Sequence, residues 1–318
     1  MRHDKFTRRK VVNTLASVGV GVMANPFVSS LAAAAETNIR MVAAIFFESY
    51  KALALERALR YAGDDGFVVS MPQLLHARAN ADYDNIIWNT WFTANSEEDV
   101  VTTPQGNHVV VTVHGGGIFA RPARFERSLR ADLSRHYSEG LTGQYAAKIS
   151  AQEARNVLDG KLPDGDEIPV YSFDEFRRGV ADLPIRYGVV LDFDKAKNSA
   201  RGYVSFDVLK DDPIMIVRAG GVEPLAAYFD KAKARHNTEL MGNSHPYRWI
   251  DPDQPQSRIL TLGGNKGGIG SEGKEQGLGW GYASDSGIGT SWLGGMARYV
   301  AVAPRDPSTS LRFLDFEL

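Results

Sequence analysis

The sequence predicts a mixed α/β protein of the α+β kind: strand and helix signals alternate in its first half, and its second half is β-rich and glycine-rich. Apolar, β-branched runs at 39–47 and 108–114 bracket segments of helical periodicity, which produces the alternation. Beyond residue 185 short strand-like runs dominate, and eleven of the 27 residues from 263 to 289 are glycine.

The elements follow in order. The unbroken apolar run 39–47 predicts a buried strand. Ser49 is placed to cap a helix over 50–62, which buries Leu53, Leu55, Ala58, Leu59 and Ala62 and closes at Gly63. Residues 66–71 form a second short strand, and 72–81 a helix with Pro72 in its first turn. Residues 86–92 read as a strand or a buried apolar segment, and 108–114 as a strong strand. Helix 122–137 places Phe125, Leu129 and Leu133 at spacing four. A strand-helix-strand opening of this kind predicts a parallel sheet with helices on its faces.

Ser150 and Glu153 form a capping box for a short helix ending at Gly160, and 161–167 is turn chemistry. The stretch 150–169 is either a junction between an α/β region (36–160) and a β-rich region (161–318), or a long loop in one continuous domain. Strand-like runs then cover 185–193, 201–207, 213–218, 258–262, 297–303 and 311–318. One helix, 224–236, interrupts them and turns Leu225, Tyr228, Phe229 and Ala232 inward.

Composition excludes several function classes. The 318 residues carry 36 Lys and Arg against 38 Asp and Glu, a net charge of −2, which gives no basic surplus for nucleic acid. There is no cysteine, so disulfides, cysteine-ligated zinc or iron–sulfur clusters and a thiolate nucleophile are out. The sequence specifies no cofactor and no metal site.

Residues 1–35 have the three parts of an export signal: a basic start, a weakly apolar stretch over 11–28 and the small residues Ala32 to Ala35. Thr7-Arg8-Arg9 resembles a twin-arginine (Tat) signal, with Val11, Val12 and Asn13 departing from the usual pattern. The resemblance implies engagement of the Tat translocation machinery and a periplasmic or secreted mature chain. Removing 35 of 318 residues leaves 283 and takes away five basic and one acidic residue, moving the charge from −2 to −6. No later stretch has eighteen consecutive apolar residues, so stable membrane insertion of the mature chain is not expected.

His114-Gly115-Gly116-Gly117 leaves the strand 109–113. This strand–HGGG arrangement is similar to the oxyanion hole of hormone-sensitive-lipase-like α/β-hydrolases, where glycines let backbone N–H groups converge on a developing oxyanion. That family also needs Gly-x-Ser-x-Gly, and this chain has none. The alternative is a glycine turn with His114 a capped structural residue. Arginines 121, 124, 127, 130 and 135 follow, suited to carboxylate or phosphate or to a solvated helix face. His136 with Glu139, and Asp192 with Asp194, are two-residue pairs too small to define a metal site.

The glycine-rich tract is neither a P-loop nor a dinucleotide fingerprint. Its successive N–H groups suit an anion nest, with Lys266 as counter-charge. The resulting expectation is one shared rim. His114 acts as general acid or base with Asp285 orienting it, while Gly115, Gly116, Arg121, Gly264, Lys266 and Gly268 bind the ligand. The function expected is an exported soluble enzyme, hydrolase or lyase, acting on a small polar or anionic metabolite. The alternative is a non-catalytic periplasmic ligand-binding or scaffolding protein.

Overall fold

The computed structural model describes residues 41–133, 141–142, 146–200, 202–236, 240–243, 247, 250–263, 288–290 and 296–304. Strand β1 (Met41–Glu48) leads into helix α1 (Lys51–Ala62), strand β2 (Phe67–Val68) and helix α2 (Met71–Asn80). One helical turn, α3 (Ile86–Asn89), precedes the long strand β3 (Phe92–Thr102), which folds back as β4 (His108–His114). A 3-10 turn (Ile118–Ala120) and helix α4 (Pro122–Leu133) lead to β5 (Leu141–Thr142), β6 (Ala146–Lys148) and helix α5 (Ala151–Leu158). Next come β7 (Val170–Ser172), α6 (Phe173–Arg177), β8 (Tyr187–Asp192), α7 (Phe193–Lys197), β9 (Gly202–Ser205), α8 (Phe206–Leu209), α9 (Pro213–Ala219) and α10 (Val222–His236). Strands β10 (Leu240–Asn243), β11 (Gln256–Leu262), β12 (Ile288–Thr290) and β13 (Ala297–Pro304) follow.

The larger sheet runs β7-β8-β4-β3-β11-β12-β10-β9, with β6 also pairing with β11 and β5 with β6. Strands from both halves of the sequence therefore share one sheet. The smaller sheet is β1-β13-β2. Val69 joins the two: its N–H donates to Val300, and its carbonyl accepts from Asn95. In the β1/β13 pair Met41 stands opposite Pro304 and Glu48 opposite Ala297. The stretches before Met41 and after Pro304 thus attach at one end of the pair.

The larger sheet is covered on both faces. One core cluster contains Leu74, Trp88, Val189, Met215, Tyr228 and Leu260 and is built with α2, α9 and α10. The other contains Leu55, Val111, Phe125, Leu129, Val157 and Ile259 and is built with α1, α4 and α5. Burying an aliphatic side chain of this size contributes about 1.5–3 kcal/mol. The central strand β3 is buried from Phe92 to Val101, acids included.

The mixed α/β class is as expected, but some local expectations are corrected. Among the described residues pairing is mostly antiparallel, and only β7/β8 and β10/β12 run parallel. The segment 213–218 is helical, because Asp212 accepts from the N–H groups of Ile214 and Met215, Pro213 suits the first turn, and Gly220 ends the helix at φ +85°. Residues 86–92 begin as helix α3, capped by Asn85, and only Phe92 is strand. Tyr50, not Ser49, occupies the cap position of α1. The run 311–318 lies outside the described residues. Among those residues no helix is long and apolar enough to cross a membrane.

Candidate functional site

Register fixes which face each polar residue of β3 occupies, because side chains alternate along a strand. Glu98 lies opposite Thr112 and Arg258; Glu97 lies opposite Val113 and Ile259; Asp99 lies opposite Val111 and Ser257. Three consecutive acids are thus buried on two faces of one strand.

On the first face Glu98 is wholly buried between two arginines. Arg218 of α9 donates to it from Nε at 2.6 Å and Nη2 at 3.1 Å, Arg258 of β11 from Nη2 at 2.6 Å, and the Tyr247 hydroxyl at 2.8 Å. Burial alone would raise the Glu98 pKa, but the two guanidinium groups more than reverse this and hold it at about 2. Arg258 also stacks 3.7 Å from the centre of the Tyr247 ring.

His114 stands on the same face and is fully buried. Its Nδ1 is 2.9 Å from the Ser96 hydroxyl and its Nε2 is 3.0 Å from the Val217 carbonyl. Ser96 Oγ also accepts from the Met71 N–H. With Nε2–H donating to Val217 and Nδ1 accepting from Ser96, both ring nitrogens are used. Burial lowers its pKa to about 4, against the opposing pull of Val217 and Glu98, so the ring is neutral. The structure places His114 in the core, not on a rim.

On the second face the N–H groups just after the glycine turn bind an anion, the protein's own Glu97. The Glu97 carboxylate accepts from the N–H groups of Ile118 and, at 3.0 Å, Phe119. Gly117 is required here, since a Cβ would sit 2.1 Å from Glu97 Oε1. Arg121 is exposed, whereas Arg124 is buried and held by Glu153, Ser128 and the Lys148 carbonyl. Asp192 caps α7 through the Lys195 N–H, so it is not one of a pair of strand carboxylates. His136 and Glu139 lie outside the described residues.

Strands β4 and β11 end at the same end of the larger sheet. Gly115 N–H donates to Asn95 next to the end of β4, and Leu262 at the end of β11 lies opposite Phe92. Strand β3 runs between them. Leu262 also pairs with Ile288, so residues 263–287 depart and return at neighbouring strands. Gly264, Lys266, Gly268 and Asp285 lie outside the described residues.

The same end carries an aromatic clamp and a buried amine. The Arg298 guanidinium stands 4.9 Å from the Phe47 ring and 4.8 Å from the Trp91 ring, and its N–H groups reach Thr90 Oγ1 and the Trp91 carbonyl. Phe47 is 47% exposed. Arg298 N–H donates to Thr93 Oγ1, tying β13 to the start of β3. Lys51 is buried, with its Nζ on the Met296 carbonyl, and burial lowers its pKa to about 7.

Sequence reasoning missed Lys51, Glu97, Glu98, Asp99, Arg218 and Arg258. A signal for the acids existed: 104–107 is a turn before a strong strand, so residues 92–102 are its natural hairpin partner. Among the described residues no group of three or more His, Asp or Glu side chains is placed to hold a metal ion.

No protein family matches the sequence, and no curated protein does. A solved structure described as "Accommodation of massive sequence variation in Nanoarchaeota by the C-type lectin fold" is similar, with a TM-score of 0.58 and 24% identity. The match covers 84% of this chain and 99% of that one. The likeness is one of fold: this chain has a C-type-lectin-like architecture.

Proposed function

We propose that this chain is an exported, non-catalytic ligand-binding protein that uses a closed C-type-lectin-like body as a platform. One observation carries the reading. Residues 263–287 are anchored at both ends by the Leu262–Ile288 register, at the end of the sheet that also bears Phe47, Trp91 and Arg298. The recognition elements are Gly264, Lys266 and Gly268, which offer backbone N–H groups and an ammonium to a small polar or anionic ligand.

The hydrolase or lyase reading needs His114 to touch the ligand, and both its ring nitrogens are engaged inside the core. The neighbour's description speaks of the C-type lectin fold accommodating massive sequence variation. Carried to this chain, that supports a body whose sheets and helices hold together independently of the segment 264–287. Export rests on Thr7-Arg8-Arg9 and the apolar stretch after it.

The test is a same-length Gly/Ser replacement of 265–286, together with Lys266→Ala. Both proteins and the parent are titrated with inorganic phosphate, sulfate, citrate and sugar acids. The expected result is retained thermal stability, with any anion-induced rise in Tm lost in both variants. Unfolding of the replaced protein, or equal anion responses in all three, would overturn the reading. Export is tested separately: changing Arg8 and Arg9 together to Lys should leave the precursor in the cytoplasm.

A further inference from the structure

Asp99 lies at the centre of the β3/β11 pair, wholly buried. Among the described residues neither of its carboxyl oxygens has a hydrogen bond of good geometry; the Ser257 hydroxyl opposite it stands near enough to favour the charged form, but burial and Glu97 outweigh that. A buried carboxylate with at most one weak hydroxyl donor and a second acid beside it is strongly unfavourable, so the group folds as the neutral acid. A neutral acid has an O–H to place. The acceptor within its reach is Glu97, two residues away on the same face. Glu97 is held as the charged partner by the N–H groups of Ile118 and Phe119.

We propose that Asp99 and Glu97 share one proton, and that this acid–carboxylate pair is a pH-sensitive latch fastening the turn 115–120 to the central strand. With the proton present, Asp99 O–H donates to Glu97 and the nest of amides sees a single negative charge. Loss of the proton to water leaves two carboxylates side by side with no cation between them. Glu97 is then pushed away from Ile118 and Phe119, and the turn loosens.

The surroundings offer no substitute for the proton. Strand β4 presents Val111 and Val113 to the pair, and β11 presents Ser257 and Ile259. From α5, Glu153 adds a further negative charge near Asp99. Arg124 of α4 draws on Glu97 from a distance, but its N–H groups are committed to Glu153, Ser128 and Lys148. Tyr299 of β13 is neutral, its pKa raised by burial and by Glu97. Burial, countered only in part by the amides, raises Glu97, and burial with Glu97 beside it holds Asp99 well above the carboxylate range, so the two titrate as a pair. Both folded values exceed the unfolded ones. The shared proton is therefore held above the ordinary carboxylate range, and the latch fails as pH rises through the raised range of the pair.

The experiment compares the full chain with Asp99→Asn, whose amide donates to Glu97 at every pH. Between about pH 5.5 and pH 9 the parent should lose about 5 °C of Tm relative to Asp99→Asn. Amide exchange at Ile118 and Phe119, corrected for intrinsic rate, should accelerate with pH in the parent alone. Parallel pH profiles of the two proteins would overturn the proposal. So would a rise in Tm with calcium or magnesium that Asp99→Asn abolishes, because a cation would then hold the pair. If Asp99→Asn does not fold, carboxyl carbon NMR of the parent decides. A protonated Asp99 at pH 5.5 that ionises by pH 9 supports the latch, and an Asp99 ionised throughout overturns it.

Discussion

Lys51 Nζ donates to the main-chain carbonyl of Met296 at 2.5 Å, joining the first residue of α1 to the residue before β13. No carboxylate accompanies this amine among the described residues. Its folded pKa of about 7 lies below the ordinary 10.5, so folding with a charged Lys51 is unfavourable in full below pH 7, and the penalty fades as pH rises toward 10.5. Lys51→Met should stabilise the protein by about 1–4 kcal/mol at pH 6, since replacing a buried charge by an apolar group of similar volume does so in other proteins. Urea unfolding at pH 6 and pH 10 should show that gain shrinking at the higher pH. A gain that does not change with pH would mean that the amine is not the cause.

Glu98 fastens three elements at once through Arg218, Arg258 and Tyr247. Glu98→Gln should destabilise by about 3–5 kcal/mol, because two guanidinium groups lose their counter-charge inside the core. Its folded pKa of about 2 lies below the unfolded value near 4.5, so its contribution is full above 4.5 and is lost as pH falls toward 2. Acid unfolding of the variant should lack that slope, and Arg258→Met added to Glu98→Gln should cost less than the sum of the single changes.

His114→Leu leaves the Ser96 hydroxyl and the Val217 carbonyl unpaired in the core. A loss of about 2–4 kcal/mol is expected from two orphaned groups. With a folded pKa near 4 against 6.5 unfolded, the histidine's contribution is lost as pH falls from 6.5 through 4, and the variant should not show that loss. Any anion response of the parent should survive in the folded variant. Its disappearance would return His114 to the ligand.

Gly117→Ala puts a methyl group 2.1 Å from Glu97 Oε1. It should cost about 1–3 kcal/mol through overpacking and free the N–H groups of Ile118 and Phe119 to exchange. Gly106 at φ +86° has open space around it, so Gly106→Ala carries backbone strain alone. Equal losses at both sites would rule out the contact with Glu97 as the cause.

Much of the fold was legible because local chemistry and tertiary structure agree. The apolar runs became β1, β4, β11 and β13, and Ser150 with Glu153 capped α5 as expected. The failures share a cause. In α9, Ile214, Ile216 and Val217 favour a strand, but Asp212-Pro213 and Gly220 set helix ends, and caps outweighed β propensity. Strand β3 was unreadable as core because Ser96, Glu97, Glu98 and Asp99 look solvated until partners more than 100 residues away are known, such as Arg218 and Arg258. The glycine turn after His114 was open to a ligand-binding or a structural reading, and the N–H groups that follow it are taken by the protein's own Glu97.

The opposition of Met41 to Pro304 also decides how the protein can be moored. Anything fused before β1 or after β13, be it a membrane tether, a carrier domain or a chip linker, attaches at the end of the pair away from Glu48 and Ala297. Eight residues of strand, about 25 Å, lie between that mooring and the end bearing Phe47 and Arg298. A tether placed directly before Met41 or directly after Pro304 therefore sits at the end of the β1/β13 pair opposite the aromatic clamp.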